Sequence, residues 1–230
     1  MALPKLNETP KYELKLPSTG EVIKFRPYLV KEEKVLMLAA ETKDSTQIMN
    51  AITDTIQACV QTPLNLSKLT TFDIEYLFIK LRSKSVGEVS NINLPCKACK
   101  EPNEYTVDLE SIECVGGTKS KVIQLDDKIS AQMKYPSYQN IDFNEDQSSM
   151  GFKLLGSSIE AVITEDERID LQDETPESIR EFLESMTKDQ FDKLSEFLLD
   201  MPQVKHEVKF DCTKCGEHNQ VELKGIQSFF

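Results

Sequence analysis

The 230-residue chain is 39% hydrophobic and 29% charged, with a formal net charge of −12 at pH 7. That length accommodates one large domain or two small ones with a core that needs no disulfide staples, and no apolar run approaches the roughly 18 residues a membrane span requires. The opening segment, MALPKLNETPKYELKL, lacks the apolar centre of a signal peptide, so the expectation is a cytosolic protein whose thiols stay reduced. Charge is unevenly spread. Residues 1–100 hold 14 Lys+Arg against 11 Asp+Glu, whereas residues 101–230 hold 13 against 28. The stretch 140–184 concentrates 13 acids and three bases, Lys153, Arg168 and Arg180. A field of that sign repels nucleic acid and anionic membrane and suits a basic protein partner.

In chain order, Tyr12, Leu14 and Leu16 alternate with polar residues, Ser18-Thr19-Gly20 turns, and Val22–Phe25 returns, which predicts a strand pair ended by Pro27. From Val30 the pattern becomes helical, with Val35, Leu36, Leu38 and Ala39 as its stripe. Asp44-Ser45-Thr46 caps a second helix carrying Ile48, Ile52, Ile56 and Cys59. A third helix follows Thr70-Thr71, with Phe72, Tyr76, Leu77 and Ile79 inward. Strands are expected over 86–94 and 104–109, and Gly116-Gly117 reads as a joint. Lys121–Leu125 and Ile129–Tyr135 pair across Asp126-Asp127. Residues 150–163 read as a helix with Phe152, Leu155, Ile159 and Val162 on one side. Thr175-Pro176 starts another helix, and Thr187-x-x-Gln190 is a capping box opening one more. Alternation returns at Val204–Phe210 and Val221–Leu223, and 226–230 reads as a tail outside any periodic element, its terminal Phe229 and Phe230 either folded back onto the core or offered to another protein. The fold class is α+β, with mixed helices and short antiparallel hairpins. The expected organisation is 1–85 as hairpin plus helices, 86–135 as a first knuckle with strand pairs, 136–202 as an acidic helical region, and 203–230 as a second knuckle with the tail, all forming one compact unit joined by the zinc proposed below.

The chemistry-bearing signal is a pair of Cys-x-x-Cys motifs, Cys96-Lys97-Ala98-Cys99 and Cys212-Thr213-Lys214-Cys215, each between strand-like runs and each followed by turn residues. Tight turns at two hairpin tips aim four thiolates at one cation, which predicts a zinc-ribbon-like four-cysteine site holding one structural Zn2+. The motifs are separated by 112 residues, far more than in a compact ribbon, so sharing one ion requires the two parts of the chain to close on each other. A redox motif of the thioredoxin kind would sit at a strand-to-helix junction, and neither pair does. Cys59 reads as a small buried hydrophobe, Cys114 as a spare thiol, and His206 as a structural residue on a strand face. His218 is the alternative ligand to one cysteine. A closed four-cysteine shell has no open coordination position, and Gly-x-Gly-x-x-Gly, P-loop, Gly-x-Ser-x-Gly and His-Glu-x-x-His motifs are all absent, so no enzymatic activity is expected. Two surfaces are candidate partner sites: Glu165, Asp166 and Glu167 in the acidic stretch, and the terminal aromatics Phe229 and Phe230.

The opening Leu3-Pro4-Lys5-Leu6-Asn7, the run from Tyr12 to Gly20, the run from Ile23 to Lys34, the cysteine pair after Leu94-Pro95, and Met133-Lys134-Tyr135-Pro136-Ser137 together resemble the baseplate hub subunit, or hub assembly chaperone, family of T4-like bacteriophages. The resemblance implies a non-enzymatic role in building the central hub of a contractile-tail baseplate in the infected host, or in the virion, with other phage hub proteins as partners. The reading from another class is a phage zinc-ribbon nucleic-acid-binding or transcription factor, which the acid excess around the second knuckle disfavours.

Overall fold

The computed structural model describes residues 10–140 and 147–229. In chain order the elements are β1 (Tyr12–Lys15), β2 (Val22–Phe25), α1 (Val30–Thr42), α2 (Ser45–Cys59), α3 (Thr71–Val86), β3 (Val89–Pro95), β4 (Pro102–Asp108), β5 (Glu113–Val115), β6 (Val122–Gln124), β7 (Ser130–Met133), α4 (Gln147–Ser158), β8 (Ile159–Ile163), β9 (Arg168–Asp170), α5 (Pro176–Glu184), α6 (Lys188–Leu199), β10 (Gln203–Asp211) and β11 (His218–Lys224). This is an α+β protein of helices and small antiparallel sheets. The chain forms two compact units. One comprises residues 1–66, 72–114 and 203–230; the other comprises 67–71 and 115–202, and so interrupts the first in sequence.

The first unit is built around α3. Phe72, Ile74, Leu77, Phe78, Ile79 and Leu81 are all buried, so this helix is covered on every side, not along one stripe as its spacing predicts. β1 and β2 pair with Leu14 opposite Ile23, and Phe25, at the end of β2, also pairs with the chain at Val60. Asp44 caps α2 by accepting from the Thr46 and Gln47 amides. The β3–β4 hairpin and the sheet β11-β10-β5 complete the unit.

The second unit is a four-stranded antiparallel sheet, ordered β6-β7-β8-β9, with α4, α5 and α6. Its core contains Met133, Leu155, Ile159, Val162, Leu183, Leu194 and Phe197. Both predicted caps are present, Thr175 ahead of Pro176 and the reciprocal Thr187–Gln190 box. The expected helix over 150–163 is corrected: α4 ends at Ser158 and the chain continues as β8. Ser157 and Ser158 turn their hydroxyls back onto the Leu154 carbonyl, competing with the helix ladder. The β-branched residues after them pair with β7, Val162 opposite Ala131. The start of the tail folds back onto its unit. Ile226 is buried, begins a short 3₁₀ turn over Ile226–Phe229, and donates its amide hydrogen to Glu75. The Phe229 side chain and Phe230 lie outside the described residues.

Two glycines of the second unit separate backbone need from chance. Gly117 has φ +72°, and a Cβ there would stand 2.6 Å from the Tyr135 hydroxyl and 2.8 Å from Pro202 Cγ. Gly151, in α4, would meet nothing within 4 Å. The same replacement therefore has opposite signs. Gly117→Ala is expected to destabilise by about 2–4 kcal/mol through left-handed strain and overpacking. Gly151→Ala should stabilise by about 0.5–1 kcal/mol through helix propensity. Thermal unfolding followed by circular dichroism checks both; equal effects would contradict the packing at Gly117.

Candidate metal centre

Each cysteine pair occupies the tip of an antiparallel hairpin, β3–β4 for the first and β10–β11 for the second. The two tips are built alike. The amide of the leading cysteine donates to the carbonyl five residues on, Cys96 to Glu101 and Cys212 to Glu217. The amide four residues on returns a bond to the leading cysteine's carbonyl, Lys100 to Cys96 and Gly216 to Cys212. That fourth position is left-handed in both, φ +62° at Lys100 and +72° at Gly216. Glycine takes the conformation without strain, and lysine tolerates it because the turn's bonds hold it there.

The tips meet. The Sγ atoms of Cys96 and Cys215 are 3.7 Å apart and those of Cys99 and Cys212 are 3.6 Å apart, all four lying within 4.8 Å of one another. Tetrahedral coordination with metal–sulfur bonds of about 2.3 Å places sulfurs about 3.8 Å apart. The separations therefore fit one four-coordinate ion and are far too long for disulfides. All four cysteines are free thiols; Cys96 and Cys212 are buried, Cys215 is exposed, and Cys99 is between.

A reciprocal pair of asparagines locks the tips together. Asn103 and Asn219 occupy the same place in each hairpin, opposite Leu94 and Phe210 respectively. Both are buried, at 4% and 0% exposure. Asn103 accepts from the Thr213 amide of the other tip at 2.9 Å, while its Nδ2 donates to its own Glu101 carbonyl and lies 3.7 Å from Cys212 Sγ. Asn219 does the same in reverse: it accepts from the Lys97 amide at 2.9 Å, donates to the Glu217 carbonyl, and lies 3.6 Å from Cys96 Sγ. Lys214 also crosses between tips to Glu101 at 2.5 Å. The asparagines went unassigned in the sequence reading, although the repeat Cys-x-x-Cys-x-Glu-x-Asn, in 96–103 and again in 212–219, carries them plainly.

Electrostatics at the site favour a bound cation. The Cys99 amide, followed by that of Ala98 and the side chains of Asn219 and Cys212, outweighs burial and lowers the Cys96 thiol to about 6. The Cys215 and Lys214 amides act likewise on Cys212, which is held below the ordinary thiol range. At Cys215 the Glu217 amide pulls down, but hydrogen bonding with Cys99, Cys212 and Cys96 prevails and pushes that thiol up to about 12. The site's amides thus hold Cys96 and Cys212 toward the thiolate form that binds a metal, while Cys215 is held toward the neutral thiol.

The remaining candidates fall outside this cluster. His218 stands outside the four-sulfur cluster, its Nδ1 2.7 Å from Asp211 Oδ1 on the surface. Burial pushes the Cys59 thiol up to about 11 and the Cys114 thiol up to about 12, consistent with inert residues. Glu165, Asp166 and Glu167 form the β8–β9 turn, where the Thr164 hydroxyl accepts from the Asp166 and Glu167 amides and Glu165 stands 3.6 Å from Lys128.

The sequence model described as T4 bacteriophage base plate protein matches residues 9–230. The chain belongs to this family. No curated protein and no solved structure matches it. Membership makes a structural or assembly role in the phage baseplate, alongside other baseplate proteins, the coarse function of the chain. No helix among the described residues is long and apolar enough to cross a membrane. The four cysteines of this baseplate protein are a candidate metal centre whose shell is closed by its own side chains.

Because the asparagines support the sulfurs symmetrically, Asn103→Ala and Asn219→Ala should each weaken metal retention by roughly 10–100-fold, the usual cost of losing a supporting hydrogen bond behind a metal ligand. Chelator competition on the purified protein measures this. A large loss for one asparagine and none for the other would contradict the paired arrangement.

Proposed function

We propose that this baseplate protein is a non-enzymatic subunit or assembly factor of the baseplate hub, stapled by one structural zinc ion held by Cys96, Cys99, Cys212 and Cys215. The observation that carries the reading is the paired hairpin tips, each with two cysteines and one buried asparagine reaching across to the other. Four sulfur ligands at tetrahedral spacing suit zinc, which has no geometric preference of its own and binds thiolate strongly. Such a shell offers no position to water or substrate, so the ion's part is to hold the chain together. The two histidines, the residues best suited to proton transfer at neutral pH, sit on the β10–β11 hairpin, His218 bonded to Asp211.

The docking face for a basic hub protein is the acidic β8–β9 turn. Glu165, Asp166 and Glu167 are exposed there, and the Thr164 bonds hold the turn in one shape. Complementary charge chiefly accelerates and orients encounter.

Elemental analysis of protein purified without chelator should give one zinc per chain, with Cys212→Ser losing both metal and thermal stability; iron, or no metal, would overturn the zinc assignment. For the hub assignment, the protein should bind at least one individually purified hub component. Binding only to baseplate proteins outside the hub would remove it. The triple change Glu165→Lys, Asp166→Lys, Glu167→Lys should slow association several-fold and flatten its salt dependence; unchanged association would exclude the turn as docking face.

A further inference from the structure

Helix α1 breaks the pattern of the other helices. Of its thirteen residues only Glu32 is buried. Burial pushes the Glu32 carboxyl up, but the Arg26 guanidinium at 2.9 Å and the Leu29 amide at 2.8 Å prevail and hold it below the usual range. That anchor fixes the start of α1, and its inner side packs on α2. The outer side is apolar yet exposed: Val30 at 79%, Met37 at 62%, Leu38 at 54% and Val35 at 47%. At about 100° per residue, Lys34, Leu38 and Glu41 run along the centre of this outer side, with Val35 on one flank and Met37 and Val30 on the other.

Two charges of opposite sign on this face stand without an ion pair. Lys31, in the first turn, is paired with Glu32 at 3.3 Å, but among the described residues Lys34 and Glu41 have no ion pair. Glu41 also stands in the last turn, where the helix dipole disfavours anions. Such charges on one exposed face suit a partner that presents the same two in reverse order.

We propose that α1 is a self-association surface, on which a second copy of this chain docks its own α1 antiparallel to the first. In that arrangement Lys34 of each copy faces Glu41 of the other, and Met37 and Leu38 interlock at the two-fold axis. Lys31 approaches Asp44 of the other copy. The two helix dipoles oppose each other, so Glu41 of each copy lies against the N-terminal half of the other helix, where an anion is favoured. A two-fold interface needs one patch that complements itself, and the order Lys34, Met37-Leu38, Glu41 does so. One helix face of this length is small for a permanent interface, so the association is weak and concentration-dependent.

Sedimentation velocity from micromolar to near-millimolar protein tests it, using the full chain with metal content and circular dichroism as checks on folding. A monomer–dimer equilibrium is expected. Lys34→Glu and Glu41→Lys should each weaken it about tenfold or more, because either change sets like charges opposite each other at two symmetric positions. Combining them should restore dimerisation, since the swapped pair re-forms between copies, and Leu38→Glu should abolish it. A monomer at every concentration would overturn the proposal. So would a double charge swap no better than the single changes, or a monomeric chain that uses α1 to capture a different baseplate protein.

Discussion

Four sulfur atoms drawn within 4.8 Å of each other are the constraint around which the first unit is organised. They come from two hairpins separated by 112 residues, among them the whole β-sheet and helical bundle of the second unit. Closing a loop of that length costs chain entropy that grows only slowly with size, so a single clip of high intrinsic affinity can hold it. The asparagines give the clip its specificity. A bare cluster of four thiols would repel further ionisation and admit water, whereas Asn103 and Asn219 tie each tip's backbone to the other and direct amide hydrogens toward the leading sulfurs.

Four cysteines that can enclose one ion leave it no open coordination position. A metal enclosed by four side chains polarises nothing but its own ligands. The fold instead spends its unusual features on surfaces. The β8–β9 turn offers an acidic edge held by the Thr164 bonds, and α1 offers exposed apolar side chains with Lys34 and Glu41 set among them. Both belong to a protein whose family works within a multiprotein assembly. As proposed docking surfaces the two differ in physics: an acidic turn works at long range and is screened by salt, whereas an apolar helix face works by contact.

The elements legible in the sequence were those with a local cause. Asp44, Thr175 with Pro176, and Thr187 with Gln190 each announce a helix start, because the bonds that cap a helix are made within three residues. The hairpins around both cysteine pairs were visible from alternation and turn residues, and the tip geometry followed from the ligand spacing. Even the asparagines were within reach of a comparison between the two motifs, since their spacing from the cysteines is identical.

What the sequence determined by itself, then, was the α+β class, the helix starts and the two Cys-x-x-Cys hairpin tips, all set by interactions among neighbours along the chain. Tertiary structure alone decided the rest. Residues 159–163 match a helical stripe and became a strand because β7 offered pairing partners and Ser157 and Ser158 loosened the helix before them. Helix α3 is buried on every side and α1 on scarcely any, although both carry apolar stripes, because burial depends on which elements the chain brings alongside and not on the stripe itself. The meeting of Cys96 and Cys99 with Cys212 and Cys215 is of the same kind: each motif prepares half a coordination shell, and only the path of the intervening chain completes it.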